Sequence, residues 1–166
     1  MPADNAFDDV LAANKAYAGK FQLADLAARA AKGLGVLTCI DSRIDPLGML
    51  GLAPGDAKIL RNAGARVTDD VLRTLVLGAH LLGVSRVMIV AHTHCRMADR
   101  TEDDVHAEIR ASGGLDTRSI AFLTTKDQES ALLSDVQRVR SSPYLPGVAV
   151  GGFMYYLDTG RIRRVC

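Results

Sequence analysis

The alternation of short apolar runs with helical patterns restricts the fold of this 166-residue chain more than any other feature. Runs typical of buried strands occur at 35–40, 57–61 and 85–93. Helical patterns separate or follow these runs at 45–52, 68–82 and 126–140. Because such alternation produces parallel strands joined by helical crossovers, we predict a single-domain α/β fold whose mostly parallel sheet is flanked by helices. The last segment, 147–165, has the pattern of a hairpin and is expected to add an antiparallel C-terminal edge strand.

The beginning of the chain has a helical character of its own. An apolar stripe predicts a helix over 7–21, and the Ala- and Leu-rich segment 23–32 could continue it until a glycine stops it. No internal repeat, low-complexity tract or linker divides the sequence. We therefore predict one domain over 1–166, in which an N-terminal helical region, 1–33, precedes an α/β core, 34–166.

Capping residues mark the beginnings of three helices. Thr68 is a suitable N-cap for the clearest helix, because its side-chain oxygen can accept one of the unpaired N–H groups of the first turn. Thr101 and Asp104 have the spacing of a capping box, which predicts that another helix begins there. The pair Thr125 and Gln128 has the same spacing and is a candidate for the start of the last helix.

The charge balance argues against several classes of partner. The chain carries 20 basic and 19 acidic side chains, a formal net charge of +1, so no basic surface for nucleic acid or anionic lipid is expected. No apolar run reaches the roughly 18 residues of a membrane span. The acidic first residues lack the basic-then-apolar layout of a secretory signal. We therefore expect a soluble, cytoplasmic protein that acts without nucleic acid or a membrane.

Three cysteines are too few, and odd in number, for a disulfide framework. Cys166 is the last residue, and we expect an idle thiol there because chain ends usually fray. Cys39 lies where the first strand ends, and His92 and Cys95 lie where the third strand ends. The carboxyl ends of parallel strands meet at one edge of a sheet, so these three side chains are expected to converge.

Two thiols and an imidazole form a donor set that suits zinc, with a fourth position left open, as in catalytic zinc sites. The alternative is that both cysteines simply pack as small apolar residues in the core. Asp41 and Arg43 follow Cys39 closely, and their alternative role is a surface ion pair. The combination of all these residues at two strand ends favours the metal site.

The ordered motifs of this chain resemble those of the β-class carbonic anhydrases. The pattern C-x-D-x-R at 39–43 is followed by H-x-x-C at 92–95. Between and beyond them lie GDAKILRNAGA at 55–65 and D-T-G at 158–160. The resemblance covers nearly the whole chain, and the length and spacing are most similar to the short bacterial branch of that family.

The resemblance implies a role for each motif residue. Cys39, His92 and Cys95 would be ligands of a Zn²⁺ cofactor, and Asp41 and Arg43 would be the catalytic dyad. Asp41 would accept the hydrogen bond of the attacking hydroxide, while Arg43 would keep that carboxylate ionised and off the metal. In some family members the aspartate binds the zinc and closes the site, and the sequence leaves both states open.

The second motif departs from the usual family pattern, because it reads H-T-H-C-R. His94 and Arg96 replace an acid and a glycine. His94 would share a face with His92 if the strand continued, which makes it an alternative ligand; it could also be a proton shuttle or a solvated residue. The sequence has no counterpart of the glutamine that the plant-type branch uses to bind its substrate.

The function that the resemblance implies is reversible hydration of carbon dioxide to bicarbonate and a proton. Hydrolysis of carbonyl sulfide or carbon disulfide at the same zinc site is the alternative, and a non-catalytic zinc-binding regulatory protein is an alternative of another class. The resemblance also implies a homodimer or a higher even oligomer, in which the N-terminal helix crosses onto the partner.

Overall fold

The computed structural model describes residues 5–166, which form one sheet and four α-helices. The strands are β1 (Leu34–Cys39), β2 (Ala57–Asn62), β3 (Arg86–His92), β4 (Ala149–Tyr156) and β5 (Arg161–Arg164). The helices are α1 (Asp8–Ala18), α2 (Asp69–Leu81), α3 (Glu102–Ala111) and α4 (Gln128–Arg140), and two short 3-10 helices span Gly48–Leu50 and Ala63–Ala65. Over the described range, none of the helices has the length and apolarity needed to cross a membrane.

The sheet has the predicted mixed topology. Its five strands lie in the order β2-β1-β3-β4-β5. β1 pairs in parallel with both β2 and β3, β3 pairs in parallel with β4, and β5 runs antiparallel to β4 at the edge. The structure therefore confirms the mostly parallel α/β sheet and its antiparallel C-terminal edge strand.

The main hydrophobic core lies between one face of the sheet and the two longest helices. Strand residues of this face pack against apolar side chains of α2 and α4, and the buried members include Leu37, Ile89, Val71, Leu75, Leu132 and Val136. The opposite face carries a smaller cluster, in which Leu34, Val36 and Val90 pack against the segment around Gly48–Leu50. The sheet is thus packed mainly on one face, and loops follow its strands at the carboxyl edge.

The N-terminal helix is shorter than predicted, and the predicted continuation over 23–32 is wrong. The backbone N–H groups of Ala30, Ala31 and Lys32 donate to carbonyls of distant loops at 2.8, 3.0 and 2.9 Å. These tertiary hydrogen bonds replace the bonds that a helix would make within itself, so the segment runs as turns against the core. The first four residues of the predicted region 1–33 lie outside the described residues.

Two of the three predicted caps are confirmed. Thr68 accepts the N–H of Val71, and Thr101 and Asp104 form a reciprocal capping box. The third prediction is wrong, because the N-cap of α4 is Asp127 and not Thr125. The predicted helix over 45–52 is reduced to the 3-10 helix Gly48–Leu50, which ends at Gly51 with a φ of 62°.

Candidate metal centre

Three potential metal ligands meet at the carboxyl edge of the sheet. Cys39 is the last residue of β1, His92 is the last residue of β3, and Cys95 lies in the turn that follows. Because β1 and β3 are parallel with Thr38 opposite Val90, the ends of both strands lie at the same level. The ligand atoms of Cys39, His92 and Cys95 are all within 4.8 Å of one another, and the three residues are buried.

The His92 ring is oriented for coordination. Its Nδ1 lies 2.9 Å from the carbonyl oxygen of Thr93, and because a carbonyl can only accept, Nδ1 carries the proton and donates. This leaves Nε2 with a free lone pair, and that atom is buried without a hydrogen-bond partner. A buried polar atom of this kind is costly unless something occupies its lone pair. A metal ion held jointly with two thiolates would satisfy it, so the residues present fit a metal ion.

One of the two thiols is electrostatically prepared to lose its proton. A hydrogen bond from Cys95 is the main cause that lowers the pKa of the Cys39 thiol to about 3, against the cost of burial. The pKa of Cys95 is raised, first because its proton is shared with Cys39 and then because it is buried. One negative charge is therefore already favoured in the cluster, and a divalent cation would favour the second.

A tight turn contributes a backbone donor to the same cluster. The N–H of Gly64 donates to the Sγ of Cys39 at 3.4 Å. Gly64 has a φ of 75°, a conformation that favours glycine. The side chain of Asn62 holds the turn by accepting the N–H of Arg66 at 2.8 Å and donating to its carbonyl at 2.7 Å.

Asp41 and Arg43 form a close ion pair two residues beyond Cys39. The carboxylate accepts hydrogen bonds from the backbone N–H of Arg43 at 3.0 Å, from its Nε at 2.9 Å and from its Nη2 at 2.7 Å. These hydrogen bonds keep the pKa of Asp41 well below its ordinary value. Asp41 does not belong to the cluster of converging ligand atoms. In this structure the carboxylate is therefore paired with Arg43 and lies outside the group of converging ligand atoms.

The loop between His92 and Cys95 turns sharply, and this overturns one alternative. His94 has a φ of 56°, so the strand does not continue and His94 does not share the face of His92. Its exposed ring contacts Asp158 at 3.0 Å, and it is not one of the three clustered residues. Arg96 is directed outward and pairs with Glu108 of α3 at 2.8 Å. The two residues that depart from the family pattern thus contact other surface groups.

Two polar side chains near the cluster were not predicted. Gln128 donates from Nε2 to the carbonyl oxygen of His92 at 3.0 Å, which is why it does not serve the predicted cap. Arg61 donates to the carbonyls of Cys39 and Asp41 at 2.9 and 2.7 Å and holds the segment that follows β1. Neither residue has a sequence signal, because each contact joins positions at least 20 residues apart.

Comparisons with known proteins agree with this geometry. A family model described as carbonic anhydrase matches residues 34–141. The protein called beta-carbonic anhydrase 1 of Mycobacterium tuberculosis is 31% identical over 159 residues, which cover 95% of this chain and 96% of that protein. This chain belongs to the β-carbonic anhydrase family.

Two further relatives show the range of the β-carbonic anhydrase family around this chain. The crystal structure of carbonic anhydrase from Streptococcus mutans is similar with a TM-score of 0.90 and 36% identity, and it covers 100% of both chains. A protein called carbon disulfide hydrolase from Acidianus is 32% identical over 173 aligned positions, which cover 86% of this chain and 85% of that protein. Membership of the family therefore supports an enzyme of the lyase or hydrolase kind.

We expect the cluster to lose its metal when either thiol is removed. Cys39→Ser and Cys95→Ser should each lose most of the metal bound to the wild-type protein, because a hydroxyl is a much poorer donor than a thiolate. Metal content is measured by elemental mass spectrometry after gel filtration. Cys166→Ser is the matched control, since Cys166 lies at the C-terminus outside the cluster and should leave the metal content unchanged. Full metal content in both Cys39→Ser and Cys95→Ser would contradict the assignment.

Proposed function

We propose that this protein is a zinc-dependent carbonic anhydrase that catalyses the reversible hydration of carbon dioxide to bicarbonate and a proton. One observation carries the proposal: a carboxylate, Asp41, is kept ionised by Arg43 beside a buried Cys-His-Cys cluster without joining it. A purely structural zinc site normally takes four protein ligands and has no use for such a pair. This contrast argues against the non-catalytic alternative.

In this proposal Cys39, His92 and Cys95 hold the zinc ion. Zinc held by three protein ligands is a Lewis acid that makes a water molecule nucleophilic near neutral pH. The N–H of Gly64 donates to the Cys39 sulfur and Thr93 accepts from the His92 ring, so groups outside the ligand set orient two of the three donors.

Asp41 orients the attacking water. An ionised carboxylate can only accept hydrogen bonds, so it fixes where the hydrogen of the attacking water points and therefore where its lone pair points. The low pKa of Asp41, caused first by its hydrogen bond with the Arg43 side chain, keeps it ionised across the physiological range. A neutral side chain of the same shape would lose this directional preference.

Arg43 holds Asp41 in place. Its Nε and Nη2 bind the carboxylate in a bidentate contact, and Nη2 also donates to the carbonyl of His94 at 3.1 Å. Arg43 therefore connects the segment after β1 to the loop that carries the other two ligands. Without the guanidinium, the carboxylate would be free to turn toward a nearby cation.

A small cavity beside the cluster is consistent with a neutral substrate. The cavity measures about 20 Å³, and its walls include Cys95 together with small apolar residues such as Ala91, Ala98 and Ala131. Its two charged residues, Arg66 and Asp135, form an ion pair with each other at 2.7 Å. A volume slightly above that needed for one water molecule leaves room only for a very small molecule.

Hydrolysis of carbon disulfide or carbonyl sulfide is the second candidate, because a relative of 32% identity carries the name carbon disulfide hydrolase. The deciding experiment uses the purified, zinc-loaded protein. Carbon dioxide hydration is followed by stopped-flow with a pH indicator, and hydrogen sulfide release is measured with carbonyl sulfide and carbon disulfide. We expect kcat/KM to be highest for carbon dioxide. A higher kcat/KM for either sulfur compound would replace the proposed activity with hydrolysis.

Substitutions in the Asp41–Arg43 pair should reduce turnover far more than zinc content. Asp41→Asn keeps the shape but removes the charge, and Arg43→Ala releases the carboxylate. We expect losses in kcat on the order of a hundredfold or more, the scale of a positioned acid–base group, with zinc retained. The measurement is stopped-flow hydration combined with metal analysis of the same samples.

The chain offers a matched control for this experiment. Asp116 and Arg118 form the same two-residue ion pair, with the backbone N–H, Nε and Nη2 of the arginine bound to the carboxylate. They lie in the loop between α3 and α4 and not beside the cluster. Asp116→Asn and Arg118→Ala should keep wild-type turnover. If the Asp41 and Arg43 variants behave like these controls, their pair is an ordinary surface contact.

We further propose that the active protein is a homodimer or a higher even oligomer assembled through α1. This helix has no buried residue in the isolated chain. Large apolar side chains along it and just beyond it are solvent-exposed, namely Phe7, Val10, Leu11, Tyr17 and Phe21. A contiguous apolar surface of this kind is unusual on a monomer and is typical of an interface.

Introducing charge on α1 should disrupt this assembly. Leu11 is 63% exposed on this helix. The variant Leu11→Asp should shift toward the monomer, because burying an unpaired carboxylate in an interface has a large free-energy cost. Mass is measured by light scattering coupled to gel filtration. Leu115→Asp is the control, since Leu115 is 83% exposed in a loop. A wild-type monomer, or an unchanged oligomer in Leu11→Asp, would contradict the proposal.

A further inference from the structure

Thr93 lies in the ligand loop, the segment that connects His92 to Cys95. Each of its polar groups makes a hydrogen bond. Its carbonyl oxygen accepts the Nδ1–H of His92 at 2.9 Å. Its backbone N–H donates to the carbonyl oxygen of Tyr155 at 3.0 Å. Its hydroxyl oxygen accepts the N–H of Leu157 at 3.1 Å. The carbonyl that orients the His92 ring therefore belongs to a residue whose two other contacts both lie on β4 and the turn after it.

The turn after β4 contacts the ligand loop a third time. Asp158, the first residue of the D-T-G sequence at 158–160, meets the ring of His94 at 3.0 Å. This contact is solvent-exposed and contributes little by itself, because water and salt compete with exposed polar contacts. The Thr93 contacts are half-buried and are less easily replaced by water. The turn therefore holds the loop mainly through Thr93.

The loop has few other ways to keep its conformation. His94 has a φ of 56°, which is unfavourable for a residue other than glycine and persists only where neighbouring contacts hold it. Those contacts come from Arg43, which donates to the His94 carbonyl, and from Gln128, which donates to the His92 carbonyl. Neither of these two contacts sets the direction of the Thr93 carbonyl, on which the His92 ring depends.

We propose that Thr93 is a positioning residue that lets the β4–β5 turn determine how firmly His92 holds the metal. The hydroxyl of Thr93 anchors the residue to the N–H of Leu157, and the anchored carbonyl keeps the proton of His92 on Nδ1 and the lone pair of Nε2 directed into the cluster. This inference rests on the proposed zinc site and adds to it the part of the fold that controls metal retention. Groups that orient ligands from outside the ligand set commonly change metal affinity by 10- to 100-fold.

The direct test measures zinc release from the full-length protein to a coloured chelator. Thr93→Val keeps the shape but removes the acceptor for Leu157, and we expect release about 10- to 100-fold faster than in the wild type. Thr93→Ser restores the hydroxyl and should restore slow release. Thr159→Val is the matched control, because Thr159 lies in the same turn but its hydroxyl accepts the N–H of Arg161 within the hairpin. Equal release rates for Thr93→Val and wild type would overturn the inference.

A spectroscopic readout separates positioning from general destabilisation. The cobalt-substituted Thr93→Val protein should show altered visible absorption bands, since a reoriented imidazole changes the coordination geometry. The thermal midpoints of the metal-free Thr93→Val and Thr159→Val proteins are compared in parallel. One result would overturn the inference: the cobalt absorption bands of Thr93→Val are unchanged, and its faster zinc release is accompanied by a lower thermal midpoint. Thr93 would then have a purely structural role.

A measurement on the wild-type protein needs no variant that might fail to fold. If the turn and the metal act on each other through Thr93, the coupling is reciprocal. Bound zinc must then slow the hydrogen exchange of the Leu157 amide. Hydrogen exchange by NMR should be slower at Leu157 in the zinc form than in the metal-free form. The Gly160 amide, bonded at 2.8 Å to Tyr156 within the hairpin, should change little. Equal exchange of Leu157 in both forms overturns the inference.

These outcomes are distinguishable from failure of the proposed function. A wild-type protein that takes up no zinc overturns the proposed zinc site and this inference together. Zinc uptake by the wild type, with release that is insensitive to Thr93→Val, overturns the inference alone and leaves the proposed activity intact.

Discussion

The parallel pairing of β1 with β3 is the constraint on which the rest of the structure depends. The register places Thr38 opposite Val90, and the hydroxyl of Thr38 also donates to the carbonyl of Val90 at 3.1 Å. Because the strands run in the same direction, Cys39 and His92 end at the same edge although 53 positions separate them in the sequence. A shift of one residue would turn either side chain to the other face of the sheet, so this register decides whether the cluster exists.

Burial and electrostatics then act together at that edge. The three clustered residues are at most 5% exposed, and burial alone would favour neutral thiols. The hydrogen bond from Cys95 overcomes this at Cys39, whose pKa is lowered, while His92 is left with an unpaired buried nitrogen. An arrangement that is unfavourable in the absence of a cation becomes favourable with one. Asp41 lies outside the cluster, and its carboxylate accepts three hydrogen bonds from Arg43.

Where sequence reasoning failed, a long-range contact had replaced a local preference. The segment 23–32 has good helix-forming residues, but the N–H groups of Ala30, Ala31 and Lys32 bond to carbonyls that are distant in the sequence. Gln128 has the spacing of a cap partner, yet its amide reaches the His92 carbonyl. His94 would face His92 in a continued strand, but the strand ends at His92. Local patterns carry no information about such partners, which are brought near only when the sheet forms.

The sequence by itself determined the α/β class, the order of strands and helices, and the identity of the residues at the strand ends, because hydrophobic periodicity and residue chemistry are local properties. It also carried the motifs on which family membership was predicted. Only the tertiary structure decided that Asp41 pairs with Arg43, that His94 lies outside the cluster and that Thr93 connects the His92 ring to the β4–β5 turn. Each of these outcomes is a choice among several chemically suitable partners. That choice depends on distances and directions that are fixed only when separate segments of the chain pack together.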